Sequence, residues 1–592
     1  FDMKKSIRYL VLLFFFGLVS FASIAKPLPR VQACLLYFKT WNFLKYYHPE
    51  LASGRKNADS IFMSTLPRVL ENTSVRSFND LISDLLSAYT LPNTMIAPAA
   101  DNGDLLVNNF DLGWYERSNI LNRANRNSLK ALFSKRYTDS VHYYLPAKNY
   151  FAELPNEPAY AIGKTDSVSL NYRLLALAKL QGAVDYLYPH KYLMEQSFEE
   201  LLRQAIRTLI ETGDRLIYER TLLTLVASLQ DTHSFSFFKQ MVYRKSIFNN
   251  AFYPPFDYQV FADGILVTAI IIPDWCRNAG INKGDFIVGI NGKPVSQRIH
   301  ELAGLLSASN RPTLINRLSA YPDNLVWGMD DPYPVLQIKR GNENTNLKVS
   351  FVSSSDAAAL KQLNEYLSID RSDRSEDSGL ILLPGDIVYF KISNVARLFG
   401  EVPDTLIDAH MDSLFSLLRK KRAVIFDMRG YPDWGGFVYT YLPRSFGTTP
   451  YQYAKYYEVN RQRLGTYRYK PLTEVYMSAD LSVVNPPYNG KVAILVDPET
   501  LSQSEWNTMH IQYLFPNAQT IGEISAGADG DEKVLNLPGG YRVNFTGNAV
   551  FYPDGSPAQK AGVKINLPVT ITPEGVSKGK DELLEKALEW IH

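Results

Sequence analysis

The chain of 592 residues is several times the length of a usual single domain, so three or four domains with separate cores are expected. Its 46% hydrophobic and 21% charged residues are those of an ordinary globular protein, and a net charge of +2 argues against a surface built for polyanions, so nucleic acid is not expected as a partner. Beyond the first residues the chain has only Cys34 and Cys276, far apart in sequence, which excludes a disulfide framework and a Cys-based metal site.

In chain order, the stretch from Met3 to Ala25 combines a basic start, an apolar run from Tyr9 to Phe21 and small residues Ser23 and Ala25. It reads as a cleaved secretory signal peptide (residues 1–25), because the apolar run is shorter than the roughly 20 residues that span a bilayer. A secreted or periplasmic location, without stable membrane insertion after cleavage, is the expectation. Residues 26–150 read as an N-terminal helical domain, with apolar residues three and four apart in ACLLYFKTWNFLKYYHPE before Pro49. Residues 151–245 read as a second helical unit. Its RLLALAKLQGAVDYLYPHKY repeats the earlier layout of helix, aromatic pair and Pro, and a second amphipathic helix follows each copy. The Asn-, Pro- and Ser-rich stretch from Ala97 to Ser167 marks the expected junction.

Over 246–355 the period changes to two, with short strands between Gly, Asn and Asp turns, so a small β domain is expected. NAGINKGDFIVGINGKPV (Asn278 to Val295) resembles the PDZ pattern. That resemblance implies a peptide-binding module in which backbone N–H groups at Gly264, Ile265 and Leu266 hold a terminal carboxylate. After a polar stretch from Arg371 to Ser378, strands alternate with helices across 370–592, the pattern of an α/β domain with a largely parallel sheet. The fold class expected is multidomain α+β.

The text KVAILVDPETLSQSEWNTMHIQYLF (Lys491 to Phe515) reads as a buried strand, a turn and a helix that begins beside Ser502. A serine there sits where helix N–H groups can stabilise an oxyanion. A Ser-x-Ser-Glu helix start can also be simple capping. Three further segments decide between these readings: AVIFDMRGYP (Ala423 to Pro432), TIGEISAGADGD (Thr520 to Asp531) and the closing GSPAQKAGVKINLPVTITPEG. Together they resemble, in order, the peptidase family S41, the tail-specific and tricorn-like proteases. The resemblance spans about His233 to Ile591 and implies a ClpP/crotonase-like catalytic domain. It makes Ser502 the nucleophile, with Ser504 and Glu505 completing its motif, and assigns oxyanion donors to Gln503 and to the Gly430 to Gly436 loop, Gly430 and Gly435 among them. The chain departs from the family in carrying Tyr431, Pro432, Asp433 and Trp434 where a Gly cluster is common, and Ala528 where the tail-specific branch has its catalytic Lys.

Without that Lys, Ser502 needs another base. LQDTHSFSFF places His233 in the Asp-x-His-Ser pattern of the tricorn-like branch, and the resemblance makes it the general base. His510, eight residues along a helix from Ser502, would stand roughly 12 Å away. In the relay that orients the imidazole, Thr232 matches the first position, while the second holds Gln559, which cannot compensate an imidazolium charge; Asp231 could substitute. The function implied is an exported serine endopeptidase that processes peptide or unfolded C-terminal tails through an acyl-enzyme. An inactive peptide- or apolar-ligand-binding scaffold and an esterase are the alternatives. No metal or cofactor is implied, since HExxH, Cys-x-x-Cys and Gly-rich phosphate motifs are missing from the sequence.

Overall fold

Both helical texts fold as a run of three longer helices, the first of which is buried on nearly every side. The computed structural model of the chain describes residues 27–71, 74–89, 91, 104–147, 152–163, 165–368, 379–433, 437–446, 452–472 and 486–592. The first copy comprises α1 (Arg30–Tyr47), α2 (Ala58–Glu71) and α3 (Val75–Ser87), and the second α4 (Leu170–Tyr186), α5 (Phe198–Glu211) and α6 (Arg215–Ala227). Local chemistry starts the third helix alike in both: Ser74 accepts the Ser77 N–H and Asp214 the Ile217 N–H. The residue before each third helix also bridges back to the residues ahead of the first, Pro27 to Ser74 and Ser167 to Asp214. The chain divides into two compact units, one holding the first copy with Leu112–Tyr137, the other holding Pro98–Asp111 and Thr138 onward. The helical region expected over 26–150 is thus shared between units. Its residues 105–106 pair with Tyr467 and Arg468 of the second unit's own sheet. The signal-peptide reading falls outside the described residues, as does the polar stretch from Arg371 to Ser378. Among the described residues no helix is long and apolar enough to cross a membrane.

In the second unit a β module forms from β1 (Phe256–Phe261), β2 (Gly264–Ile270), β3 (Phe286–Ile290), β4 (Val335–Arg340) and β5 (Glu343–Lys348), antiparallel in that spatial order, with helix α7 (Arg311–Leu318) against β1. The catalytic-type domain is a six-stranded sheet of β6 (Leu380–Leu383), β7 (Ile387–Lys391), β8 (Ala423–Asp427), β9 (Lys491–Val496), β10 (Gln519–Gly522) and, after the hairpin β11 (Glu532–Leu537) and β12 (Tyr541–Thr546), β13 (Leu567–Pro568). All but β6 run parallel. A parallel sheet is covered on both faces, and the alternation in β7, β8 and β9 shows it. Phe390, Phe426 and Ile494 face one core with Met411 and Phe415 of the helix α8 (Ile407–Leu418) and with Met509 of α9 (Gln503–Leu514). Tyr389, Ile425 and Leu495 face the other, with Leu583 and Ala587 of the closing helix α10 (Glu582–Ile591). Truncating Phe426, fully buried in the middle strand, would cost about 3–5 kcal/mol.

Candidate active site

Strand β9 delivers its chain at the carboxyl end of the sheet, between β8 and β10. The turn that follows is pinned at Thr500, whose hydroxyl accepts the Asp497 N–H (3.1 Å) and donates to the Met428 carbonyl after β8 (3.0 Å). Ser502 then stands just ahead of α9 with φ of 52° and ψ of −109°. A residue with a Cβ holds such a conformation only where its surroundings impose it, at about 1–3 kcal/mol.

Glu505 imposes it. Its buried carboxylate accepts four hydrogen bonds: Ser502 N–H (3.1 Å) and Ala528 N–H (2.9 Å) on Oε2, Gly527 N–H (2.7 Å) and the Ser525 hydroxyl (2.6 Å) on Oε1. Burial raises its pKa and these four donors oppose the rise. The glutamate of Ser-x-Ser-Glu therefore ties the 525–528 segment to the serine turn. Ser504 ties in the loop after β8 by donating to the Gly430 carbonyl at 2.6 Å. The Asp-x-Arg-Gly motif below it is a clamp: Arg429 bonds both oxygens of buried Asp427 (2.8 and 2.9 Å) and both of Asp581 (2.9 and 2.8 Å), a doubly bidentate geometry that only a guanidinium supplies.

His233 opens a 3-10 segment, Thr232–Gln240, laid along β12. Ser234 donates to the Asn544 carbonyl, and Gln240 exchanges two hydrogen bonds with the Arg542 backbone. The His233 side chain is 1% exposed, with Nδ1 2.9 Å from Thr546 Oγ1 and 3.3 Å from Asp231 Oδ1. Asp231, wholly buried, accepts the Thr546 N–H (2.6 Å), the Thr546 hydroxyl (3.1 Å) and the His233 N–H (3.1 Å). Thr546 has one hydroxyl proton and gives it to Asp231, so it accepts from Nδ1–H. That fixes the tautomer and leaves the lone pair on Nε2. Nε2 is buried without a hydrogen-bond partner among the described residues, 3.8 Å from Glu532 Oε1. Burial alone would lower the His233 pKa, but the hydrogen bond and charge of Asp231, with help from Glu532, raise it above the ordinary value. Asp231 is held below the usual carboxylate range because His233 and Thr546 outweigh its burial.

Not every residue expected beside His233 touches it. Thr232 does not bond the imidazole; its hydroxyl serves Ser309 and the Ala526 carbonyl, each at 3.0 Å, and so fastens the β module beside the site. Gln559 is buried with neither amide atom partnered among the described residues, and it too makes no hydrogen bond to His233. The orienting pair is Asp231 with Thr546, and Thr546 and Glu532 had no signature in the sequence. Ser502 and His233 make no hydrogen bond with each other. The phenol of Tyr431, an exposed residue, lies close to Ser502. Of the oxyanion candidates, Gln503 is the first residue of α9, Gly430 sits at φ of 85°, and Gly435 lies outside the described residues. His510 is on α9, stacked on Tyr453 with ring centroids 4.5 Å apart, and burial lowers its pKa to about 3.

Gly264, Ile265 and Leu266, where the sequence leads one to expect a terminal carboxylate, lie in β2: Ile265 pairs with Val260 and Ile287, Leu266 with Gln259 and Phe286, and Gly264 with Phe261. The sheet's edge strands are β1 and β5, and at β1 the Val260 N–H already donates to the Ser319 hydroxyl at 2.8 Å.

Residues 386–569 match the model of peptidase family S41. No curated protein matches the chain. Among solved structures the chain is similar to mature CPAF complexed with lactacystin (TM-score 0.49, 14% identity, 71% of this chain and 98% of that one). It is also similar to the photosystem II D1 C-terminal processing protease (0.33, 16%, 70% and 98%) and to the tricorn protease (0.30, 13%, 71% and 36%).

Proposed function

Given that this chain belongs to peptidase family S41 through residues 386–569 and is a serine peptidase, we propose that it is an exported endopeptidase that cleaves peptide or unfolded tails with Ser502 as nucleophile and His233 as base. The observation that carries this reading is the poise of His233. Its Nδ1–H is committed to Thr546 and its buried Nε2 has an unshared pair and no partner among the described residues. In the reaction, Ser502 Oγ adds to the scissile carbonyl as its proton passes to Nε2. The oxyanion meets N–H groups of the α9 start and the Gly430 loop. Collapse expels the amine, which takes the proton from Nε2, and water repeats the sequence on the acyl-enzyme. Asp231 stabilises the imidazolium formed on the way. Cleavage and export by the segment 1–25, with a cell-envelope location, belong to the same proposal, as does the tricorn-like Ser-His branch.

A second reading, an inactive peptide- or apolar-ligand-binding scaffold, is favoured by one observation: Ser502 and His233 make no hydrogen bond with each other. Fluorophosphonate labelling decides. Labelling that maps to Ser502 and is abolished by Ser502→Ala and His233→Ala supports the peptidase mechanism. Labelling indifferent to His233→Ala, or none on folded protein, overturns it.

A further inference from the structure

A cleft of about 370 Å³ opens between the β module and the catalytic-type domain, near the small end of the roughly 300–1,000 Å³ typical of ligand pockets. One wall is the open edge strand β1 with its turn to β2 (Gln259 to Asp263) and the α7 residues Pro312, Ile315 and Asn316. The other is the turn after β9 (Asp497 and Pro498), Glu523 at the end of β10, and Thr570 to Pro573. Its apolar lining includes Val260, Phe261, Ile315 and Ile571, and three acidic residues, Asp263, Asp497 and Glu523, line it with them. Among the described residues that line it there is no Lys, Arg or His.

These carboxylates are not neutralised. None has an ion-pair partner among the described residues. Asp497 is nine-tenths buried. Its Oδ1 accepts the Glu499 N–H at 2.9 Å, and its Oδ2 has no hydrogen-bond partner among the described residues. Glu523 spends one oxygen on the Ile571 N–H (3.1 Å). The charges that bear on Asp497 from elements around it are Glu499, Arg429 and Asp427, and Arg429 is already saturated by Asp427 and Asp581. Glu582 adds its charge to Glu523. Strand addition is blunted on this side of β1 because Ser319 takes the Val260 N–H. What remains is a side-chain-sized recess whose lining combines apolar residues with a largely buried carboxylate that has no ion-pair partner among the described residues, which suits a cation on an apolar stem. A terminal carboxylate would face like charge there.

We propose that this cleft is a binding site for a primary ammonium or guanidinium carried on an aliphatic chain, with Asp497 as the principal counter-ion and Asp263 and Glu523 as supporting charges. The chemistry is shared by a Lys or Arg side chain of a peptide and by a free aliphatic diamine. It is separate from the proposed Ser502 reaction, so binding is read without reference to hydrolysis.

Isothermal titration of the full chain at about pH 8 tests it with cadaverine, with N-acetyl-Gly-Lys-Gly-amide and with the uncharged norleucine counterpart of that peptide. The expected result is binding of at least one amine, with the norleucine peptide at least about tenfold weaker than its lysine form if that form binds, and Asp497→Asn weakening the amine by about tenfold or more. Affinity should fall about thirtyfold between pH 8 and pH 5.5, as Asp497, whose pKa burial raises to about 7, takes up a proton. Binding of cadaverine alone identifies a free diamine as the ligand, and binding of the lysine peptide identifies a side chain. Asp263→Asn, at the hairpin tip, is the second variant should Asp497→Asn not fold, and a severalfold loss is expected of it. Failure of both amines to bind, equal binding of the norleucine peptide, or affinity unchanged in the variants overturns the proposal.

Discussion

Asp231 and Thr546, separated by 315 residues in sequence, share two hydrogen bonds, the Thr546 amide at 2.6 Å and its hydroxyl at 3.1 Å, and between them hold the His233 ring. Asp231→Asn keeps the shape and removes the charge, so Thr546 is no longer obliged to accept from Nδ1–H and the ring can turn its protonated nitrogen toward Ser502. A loss of about 10⁴ in kcat/KM is expected, on the scale of other triads that lose their carboxylate. The pH profile carries a second signature. His233 acts only when neutral, and its pKa is raised by Asp231 against the pull of burial. Activity should therefore fall as pH drops through an apparent pKa above 6.5, and in Asp231→Asn that limb should move to lower pH. A profile whose acid limb does not move would remove Asp231 from this role.

Glu505 answers four donors at once, so its replacement is costly out of proportion to one side chain. Glu505→Ala leaves the buried Gly527 and Ala528 N–H groups and the Ser525 hydroxyl without acceptors, at about 1–3 kcal/mol each. A loss of about 3 kcal/mol or more in urea unfolding is expected, together with loss of labelling at Ser502. Glu505→Gln, which keeps two of the acceptor contacts at best, should fall between.

Much of this was legible in the chain. The near-continuous apolar runs of β8 and β9 announce a parallel sheet buried on both faces, and the punctuation that follows each run, Asp-x-Arg-Gly and Ser-x-Ser-Glu, marks where the site is assembled. The repeated helical text reappears as two three-helix runs with the same bridge. What stayed hidden depends on partners far away in sequence. Thr546 is an ordinary strand residue until β12 is laid beside His233, 313 residues earlier. The turn at Gly264 looks open as text because pairing on both sides of β2 comes from strands whose register no local pattern encodes.

Ser502 stores strain that glycine would not feel. At φ of 52° and ψ of −109° a Cβ is crowded, so Ser502→Gly should raise stability by about 1 kcal/mol while abolishing labelling, whereas Ser502→Ala abolishes labelling and keeps the strain. Thermal unfolding of the two variants side by side separates the effects. Equal midpoints would mean that the turn relaxes without its hydroxyl.

Asp497 sets a stability that depends on pH in the opposite sense to a paired carboxylate. Burial raises its folded pKa from 3.8 to about 7, so between those values the folded chain holds a proton that the unfolded chain has released. Stability from this group is therefore intact below about pH 4, falls as pH rises toward 7 and stays low above it. Three units correspond to about 4 kcal/mol as an upper bound, and an open cleft reduces that. Asp497→Asn is neutral throughout and should match the parent near pH 4 but unfold at a higher temperature near pH 8. Adding an amine that occupies the cleft should restore part of that difference to the parent and none to the variant. A variant that gains nothing at pH 8 would show that solvent or a cation already stabilises the charge, and the carboxylate would then be an ordinary turn acceptor for Glu499.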